Sequence, residues 1–193
     1  WSDETISLGH NRLSIVDING SQQPITGNSN TTLIANGEIY NHLDLRSKLS
    51  YNWKTSGDSE VILALHEKYA KNVANVGDIN HTDWVKQLNG MFSFALWDSE
   101  NRELILARDS LGIKPLVRTI IDGSLLFASE IKAFHAHESY QPVIDETALA
   151  LRLAWEYCLD SSTLIENVHQ VRPGTVEIWR VNDIGQPYLH SAT

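Results

Sequence analysis

The chain has 193 residues, about one domain with some excess, and 15 basic against 24 acidic side chains give it a formal charge of −9. This charge argues against nucleic acid and anionic membrane surfaces as partners, because both are bound through clustered cations. The single cysteine, Cys158, excludes an internal disulfide and a multi-thiolate zinc site. No apolar run approaches the roughly 18 residues that span a bilayer. We therefore expect a globular, cytoplasmic protein.

Hydrophobic periodicity predicts grouped runs of strands and helices. Strands are expected at residues 6–16, 31–35, 91–97, 104–107, 116–121, 125–128, 175–181 and near 188. Helices are expected at residues 43–49, from 60 onward, and at 81–88, 130–136 and 146–155. In the clearest of these helices an apolar stripe lies opposite Glu60, and Asp122-Gly123 is a favoured hairpin turn. Because strands and helices do not alternate strictly, we predict an α+β fold with segregated layers.

Several common site motifs are missing from the sequence. The histidines are scattered, with no HExxH and no Cys/His cluster, so no metal site is predicted. Neither GxxxxGK[ST] nor GxGxxG occurs, which leaves no loop of those types for a nucleotide phosphate, and there is no GxSxG elbow. Cys158 lies at the apolar end of a predicted helix and is expected to be a small, buried hydrophobic residue.

Polar residues near the predicted strands are more informative. Asn36 and Gly37 follow a predicted buried strand, and an amide side chain beside a backbone N–H is the donor pair of an oxyanion hole, although Asn-Gly is more often an ordinary turn. Arg12 lies in a predicted apolar strand, where a buried cation needs a carboxylate from the protein or from a ligand. Glu38 and Asp58 are anions suited to an ammonium. Together these residues suggest a pocket for an α-amino acid.

Recognisable blocks of residues follow one another along nearly the whole chain. They are Gly9-His-Asn-Arg-Leu-Ser-Ile-Val-Asp17, Gln23-Pro24, Asn36-Gly-Glu-Ile-Tyr-Asn41, Thr55-Ser-Gly-Asp-Ser-Glu-Val-Ile62, Leu88-Asn-Gly-Met-Phe-Ser-Phe-Ala-Leu-Trp-Asp98, Ala107-Arg-Asp-Ser-Leu-Gly-Ile-Lys-Pro-Leu116, Phe127-Ala-Ser-Glu-Ile-Lys-Ala133 and Pro173-Gly174. In this order they resemble the glutaminase domain of glutamine-hydrolysing asparagine synthetases. The first and third blocks favour that branch over the phosphoribosyl and hexosamine amidotransferases.

The resemblance implies a class II glutamine amidotransferase domain over residues 1–193, with the αββα sandwich of the N-terminal-nucleophile hydrolases. In that family the thiolate of an N-terminal Cys attacks the glutamine amide, its own α-amine acts as base, and a glutamyl thioester and ammonia form. The roles implied for L-glutamine are α-carboxylate binding by Arg12, a pocket wall from the backbone of Leu13, Ser14, Ile15 and Val16, an oxyanion hole from Asn36 and Gly37, and α-ammonium binding by Glu38 and Asp58.

The sequence also departs from that family. It begins at Trp1, so the family's first segment of about 30 residues, which carries the nucleophilic Cys, is expected in front of it, and Cys158 does not match that position. The 193 residues alone are therefore expected to be inactive. Ser110 and Val117 stand where many relatives have Arg and Tyr, which affects a local loop and the outer packing of a sheet. No cofactor is predicted for this domain, whereas ATP and Mg²⁺ are implied for the synthetase domain expected behind Thr193.

Two functions from different classes stay open at this point. The first is a glutaminase domain that passes ammonia to a synthetase domain for the amidation of aspartate. The alternative is a non-catalytic glutamine-binding or regulatory module that keeps Arg12, Asn36, Glu38 and Asp58 but has lost the nucleophile. A third reading is an unrelated α+β protein with chance motifs. The sequence leaves open the ammonia acceptor and the oligomeric state, a homodimer included.

Overall fold

A computed structural model of the chain describes residues 1–13, 16–17, 20–69 and 79–193. Its strands are β1 (Ile25–Thr26), β2 (Thr31–Ile39), β3 (Gly90–Asp98), β4 (Glu103–Arg108), β5 (Val117–Ile121), β6 (Ser124–Ala128), β7 (His169–Gln170), β8 (Val176–Val181) and β9 (Pro187–Ala192). Its helices are α1 (His42–Lys48), α2 (Glu60–Tyr69) and α3 (Glu146–Trp155), with 3-10 helices at Ile79–Gln87 and Ile131–Ala136. Among the described residues, none of these helices is long and apolar enough to cross a membrane.

The described strands form two antiparallel sheets. The larger has the order β1-β2-β3-β4-β8-β9 and the smaller the order β6-β5-β7. In the larger sheet β2 and β3 pair along their whole length, from Thr31 opposite Asp98 to Ile39 opposite Gly90. β3 is buried from residue 92 to 98 because both of its faces are covered. A strand covered on both faces carries a nearly continuous apolar run, which is why its sequence alternates only weakly.

Helices cover one face of the larger sheet, and the smaller sheet covers the other. The first core joins α1, α2 and the 3-10 helix at 79–87 to the sheet and includes Leu33, Leu45, Ile62, Trp84 and Phe94. The second core lies between the sheets and includes Trp97, Leu104, Leu106, Leu125 and Phe127. A third cluster packs the 3-10 helix at 131–136 against the small sheet. This layering of helices and two antiparallel sheets confirms the predicted α+β class.

Helix α2 is buried on more sides than its sequence pattern indicates. Residues 61–65 are at most 2% exposed, and Glu60, which was expected on the exposed face, is fully buried. Its carboxylate accepts hydrogen bonds from the Lys54 N–H and from the N–H and hydroxyl of Thr55, and it lies 3.4 Å from Arg46. A buried carboxylate is tolerated when its oxygens are hydrogen-bonded in this way. The expected polar face is therefore wrong, because periodicity cannot show a charge with buried partners.

The first predicted strand, residues 6–16, is wrong for the part that the structure describes. Residues 8–13 are irregular, and Ser7 forms only an isolated bridge with Ser2. Ile6 and Leu8 nevertheless pack into the core between the sheets. The alternation in the sequence thus reflects burial of one side of the segment. A segment outside both sheets achieves this burial here, held to the first residues of the chain by the hydrogen bond from the Leu8 N–H to the Trp1 carbonyl.

The predicted β5–β6 hairpin and the last helix are confirmed, whereas two shorter helices differ in type. Asp122 and Gly123 both have positive φ, 49° and 75°, as a two-residue hairpin turn requires. The helices expected at 81–88 and 130–136 are 3-10 helices. Asp145 caps α3 by accepting a 2.8 Å hydrogen bond from the Ala148 N–H. Cys158 lies beyond the end of α3 and is partly exposed, so its expected place as a buried helical residue is wrong.

A buried pair joins α2 to the end of β3. Nε2 of His66 lies 3.0 Å from Oδ2 of Asp98, and both side chains are at most 1% exposed. Asp98 also accepts hydrogen bonds from the N–H groups of Glu100 and Asn101 and from the Asn101 side chain. Burial alone raises the pKa of Asp98, but the bonds from His66 and Asn101 outweigh it and lower the pKa to about 2. The fold therefore favours the charged carboxylate.

We expect Asp98→Asn to lower the free energy of unfolding by about 2 kcal/mol at pH 7. Because folding lowers the pKa of Asp98, the charged form stabilises the protein above a pH of about 4, and this contribution is lost as the pH falls toward 2. Urea unfolding of both proteins between pH 7 and 2 measures the effect. Asp122→Asn, in an exposed turn, is the control. A wild-type advantage that stays constant over this pH range contradicts the prediction.

Candidate functional site

A cavity of about 600 Å³ opens between the two sheets along the edge of β2. Its walls come from β2 and β3, from the end of β6, and from loops before β1 and α2. The predicted residues that line it are Arg12, Leu13, Val16, Asn36, Gly37, Glu38 and Asp58. Ser14 and Ile15 lie outside the described residues. The structure thus brings together the candidate residues that it describes, although they come from three separate segments of the chain.

The edge of β2 that borders the cavity is only partly covered by β1. β1 pairs with Thr32 and Leu33 and no further. At Ala35 the side-chain amide of Gln23 replaces a strand, since it accepts from the Ala35 N–H at 2.7 Å and donates to the Ala35 carbonyl at 2.8 Å. At Ile39 the N–H donates to Asp58 at 2.8 Å. Between these two positions lies Gly37.

The backbone N–H of Gly37 faces this open edge. Gly37 lies opposite Phe92, whose N–H and carbonyl are both hydrogen-bonded to Asp109, at 3.2 and 2.8 Å. Phe92 therefore forms no ladder bond with Gly37, and strand alternation places the Gly37 N–H on the same side as those of Ala35 and Ile39. The N–H is available to a ligand in the cavity.

Gly37 is required by a close approach between strands. Its φ is 143°, and a Cβ at this position would lie 2.0 Å from the carbonyl oxygen of Met91. The expectation that Asn36-Gly37 ends a strand in a turn is therefore wrong, because both residues lie inside β2. A glycine that serves contact between two backbones leaves the same sequence signature as a turn glycine.

Asn36 and Glu38 lie on the same face of β2, two residues apart, toward the small sheet. Nδ2 of Asn36 donates to Oγ of Ser129, which follows β6, at 3.4 Å. The second amide hydrogen of Asn36 stays available beside the Gly37 N–H. No described residue donates a hydrogen bond to the Glu38 carboxylate. A donor pair and a carboxylate thus border one part of the cavity.

Arg12 and Asp58 place opposite charges on the cavity. The expectation that Arg12 lies in a strand is wrong: it is half-buried in an irregular segment, where Nη2 donates to the carbonyls of Val16 and, at 3.0 Å, of Asp17. Asp58 is 7% exposed and precedes α2. Its Oδ2 accepts a hydrogen bond from the Ile39 N–H, whereas no donor among the described residues reaches Oδ1, which stays available to a ligand. The cation and the two carboxylates, Glu38 included, are complementary to an α-amino acid.

Comparison with known proteins assigns the chain to a family. The chain matches the glutamine amidotransferase domain family over residues 1–189. It belongs to that family. It is 36% identical to asparagine synthetase [glutamine-hydrolyzing] 1 of Bacillus subtilis, over 91% of this chain and 26% of that protein. It is 43% identical to asparagine synthetase B of Escherichia coli, over 69% of this chain and 23% of that protein.

Two further comparisons bear on the fold and on the range of relatives. The chain is 36% identical to Amidase chyE of Penicillium rubens, over 93% of this chain and 25% of that protein. Its fold is similar to that of the glutamine phosphoribosylpyrophosphate amidotransferase of Bacillus subtilis, with a TM-score of 0.54 and 22% identity over 88% of this chain and 32% of that chain. This likeness confirms the predicted N-terminal-nucleophile sandwich. The chain spans about a quarter of the length of the curated relatives named here.

Several residues of this amidotransferase domain line the cavity without a role predicted from sequence. Gln23, Ser129 and Lys114 belong to motifs that resemble the family, but the sequence predicts no role for them in the site. Burial and then the charge of Arg12 lower the pKa of His10, which is therefore neutral at pH 7. In the sequence, these cavity-lining residues are marked only by lying in family motifs, and a motif does not show where a side chain points. Among the described residues, no cluster of three His, Cys, Asp or Glu is placed to hold a metal ion.

Lys114 reaches the cavity from a loop that Asp109 organises. The buried Asp109 carboxylate accepts hydrogen bonds from the N–H groups of Leu111, Ile113 and Lys114 at 3.0–3.1 Å, in addition to that of Phe92. Burial raises the pKa of Asp109, but these four bonds outweigh it and lower the pKa. One carboxylate thus holds both the Lys114 loop and the strand opposite Gly37.

We expect Gly37→Ala to lower the free energy of unfolding by about 3 kcal/mol or more, because the added Cβ meets backbone atoms that cannot move aside. Gly123→Ala is the matched control, since Gly123 also has positive φ but has nothing within 4 Å of its Cβ position. Gly123→Ala should lower the free energy of unfolding only by the cost of placing a side chain at positive φ, about 1 kcal/mol. Urea unfolding measures both variants, and equal losses would show that the strand contact at Gly37 carries no energy.

Proposed function

We propose that this domain is the glutamine-binding part of a glutaminase that releases ammonia for an ATP-dependent synthetase domain, which amidates aspartate. One observation carries the proposal: Arg12, Asn36, Glu38 and Asp58, from three separate segments, surround a single cavity in a glutamine amidotransferase fold. The nature of these groups matches L-glutamine, which has an α-carboxylate, an α-ammonium and a side-chain amide.

In this proposal, the charged groups at the two ends of the cavity bind different groups of L-glutamine. Arg12 binds the α-carboxylate, and Leu13 and Val16 line that end. Glu38, which has no hydrogen-bond donor among the described residues, and Oδ1 of Asp58 bind the α-ammonium. Charged hydrogen bonds of this kind are short and strong and fix the orientation of the amino acid. The side-chain amide is then directed along β2.

The donors on β2 serve the transition state. When a nucleophile adds to the glutamine amide, its carbonyl oxygen becomes an oxyanion, and the Gly37 N–H and Nδ2 of Asn36 stabilise it. Collapse of this intermediate breaks the C–N bond, and the nitrogen takes up the proton given up by the nucleophile and leaves as ammonia. Water then hydrolyses the glutamyl thioester to glutamate and frees the nucleophile. Both donors are set before the ligand arrives, Gly37 by the sheet and Asn36 by Ser129. This preorganisation is the source of catalytic power in such sites.

The nucleophile of this reaction comes from outside the 193 residues in our proposal. The mechanism that the resemblance implies uses an N-terminal Cys, and the one cysteine of the 193 residues, Cys158, is not among the described residues that line the cavity. We place the nucleophile in a segment preceding Trp1 of a longer protein. The alternative is a glutamine-binding module without catalysis, which the same cavity also supports.

An exposed apolar face supports the partner part of the proposal. Ala148 is the one buried residue of α3, all of which is described, while Leu149 and Leu153, which are four residues apart and share one face, are 36% and 77% exposed. Monomeric surfaces rarely gather large apolar side chains in this way. We propose that this face contacts the ammonia-accepting domain, which would also hold ATP and Mg²⁺. The relatives' names include both asparagine synthetases and amidases, and the former support aspartate as acceptor.

Calorimetry on the chain tests glutamine binding. We expect L-glutamine to bind, and Arg12→Ala and Asp58→Asn each to weaken binding by about 10- to 100-fold, the usual value of a charged hydrogen bond. Arg152→Ala, on the exposed surface of α3, is the charge-matched control and should bind as the wild type does. Binding that is equal in all four proteins, or absent from the folded wild type, contradicts the proposal.

Ammonia release separates the enzyme from the binding module. We expect the natural full-length protein that contains this chain to release ammonia from L-glutamine, and Asn36→Ala in it to lower kcat by about 100-fold with little change in KM, because the oxyanion forms only during the reaction. Coupled glutamate detection gives the rates. A full-length protein that binds glutamine but releases no ammonia supports the non-catalytic module instead.

A further inference from the structure

The two ends of the proposed glutamine site lie on loops that need a common anchor. Gly37 and Asn36 belong to a sheet, but Arg12 lies in an irregular segment and Asp58 follows a loop. Two such segments bind one small ligand more tightly when their separation is set before binding, since each loop otherwise loses conformational freedom when the ligand arrives. Among the described residues, Asp17 is hydrogen-bonded to both of these loops.

Asp17 bonds to the Arg12 segment through its backbone. Its carbonyl accepts a hydrogen bond from Nη2 of Arg12 at 3.0 Å. Its φ is 51°, in the left-handed region, where Asp and Asn are favoured among residues with a side chain. Its Oδ1 accepts from the Gly20 N–H at 3.1 Å, which closes the turn that follows. The orientation of the Arg12 guanidinium is therefore tied to Asp17.

Asp17 bonds to the Asp58 loop through its side chain. Its Oδ2 accepts from the Ser56 N–H at 3.0 Å and from Oγ of Ser21 at 2.7 Å. The two loops are in direct contact beside these bonds, because a Cβ on Gly57 would lie 2.0 Å from Oγ of Ser21. Ser56 is two residues from Asp58 in the chain. The same carboxylate thus joins the segment of the cation to the loop of the anion.

We propose that Asp17 is a positioning residue that sets the distance between the α-carboxylate site at Arg12 and the α-ammonium site at Asp58. This inference rests on the proposed function for its ligand. The hydrogen bonds of Asp17 to Arg12 and to Ser56, which we call the clamp, are a property of the protein alone. Asp17 acts through Arg12 and Ser56, and it is not among the described residues that line the cavity. Its loss should weaken recognition of both ends of glutamine together.

Asp17→Asn is the first test variant, because it keeps the shape and replaces one acceptor oxygen by an NH₂ group that cannot accept a hydrogen bond. Calorimetry is performed with L-glutamine, with glutaramate, which lacks the α-amine, and with 4-aminobutanamide, which lacks the α-carboxylate. We expect the variant to bind L-glutamine about 10-fold more weakly and to lose part of the advantage that each α-group confers. Arg12→Ala should lose only the advantage of the carboxylate.

Hydrogen exchange of the Ser56 amide measures the clamp without a ligand. In Asp17→Asn this amide should exchange about 10-fold faster than in the wild type, while the amides of β2 and β3 are unchanged. Ser21→Ala removes one of the partners of Asp17 and should give a smaller change in the same direction. Asp44→Asn, on the exposed surface of α1, is the control for loss of a carboxylate and should match the wild type.

The two measurements separate the possible failures. If the wild type binds no glutamine, the proposed function fails. The exchange rate of the Ser56 amide in Asp17→Asn still shows whether Asp17 joins the two loops. If glutamine binds but Asp17→Asn changes neither its affinity nor the exchange of Ser56, the inference is wrong. If affinity falls equally for all three ligands, with the advantage of each α-group intact, Asp17 supports the fold without positioning the site, and the inference is again wrong.

Discussion

The candidate site depends on one strand that is hydrogen-bonded along one edge and only partly covered along the other. β3 pairs with β2 over its whole length, whereas β1 covers two positions. Because buried backbone groups need partners, the side chains of Gln23 and Asp58 take over at Ala35 and Ile39. Gly37, between them, keeps an N–H for a ligand. A longer β1 would complete the sheet and remove the donor, so incomplete pairing is what leaves the Gly37 N–H open to the cavity.

Buried carboxylates hold the loops around this strand. Glu60 accepts hydrogen bonds from the loop before α2, Asp109 from the loop after β4, and Asp98 from the turn after β3. Each is almost fully buried, and each is bonded to backbone N–H groups. The acidic side chains of the protein therefore do not all lie on its surface. Two of the buried carboxylates, Glu60 and Asp109, hold the segments that place Asp58 and Lys114 at the cavity. Charges of both signs therefore lie in the cavity wall.

The regular elements could largely be predicted from sequence because their signals are local. The Asp122-Gly123 hairpin and helix α3, with its Asp145 cap, follow from residues that are neighbours in the chain. The errors arose where a distant partner decides the structure. Residues 8–13 pack as an irregular segment, Glu60 is buried against Arg46, and Gly37 serves contact with β3. The contacts of Glu60 with Arg46 and of Gly37 with Met91 both join residues more than ten positions apart.

The sequence by itself determined the family, the α+β class and the chemical types of the candidate residues, since ordered motifs and local periodicity carry that information. Only the tertiary structure decided that Arg12, Asn36 and Asp58 border one cavity and that the Gly37 N–H is the donor on an open strand edge. Only it could show Asp17 between two loops. Convergence of this kind depends on strand pairing and loop contacts across dozens of residues, and no local pattern encodes the distances that such contacts set.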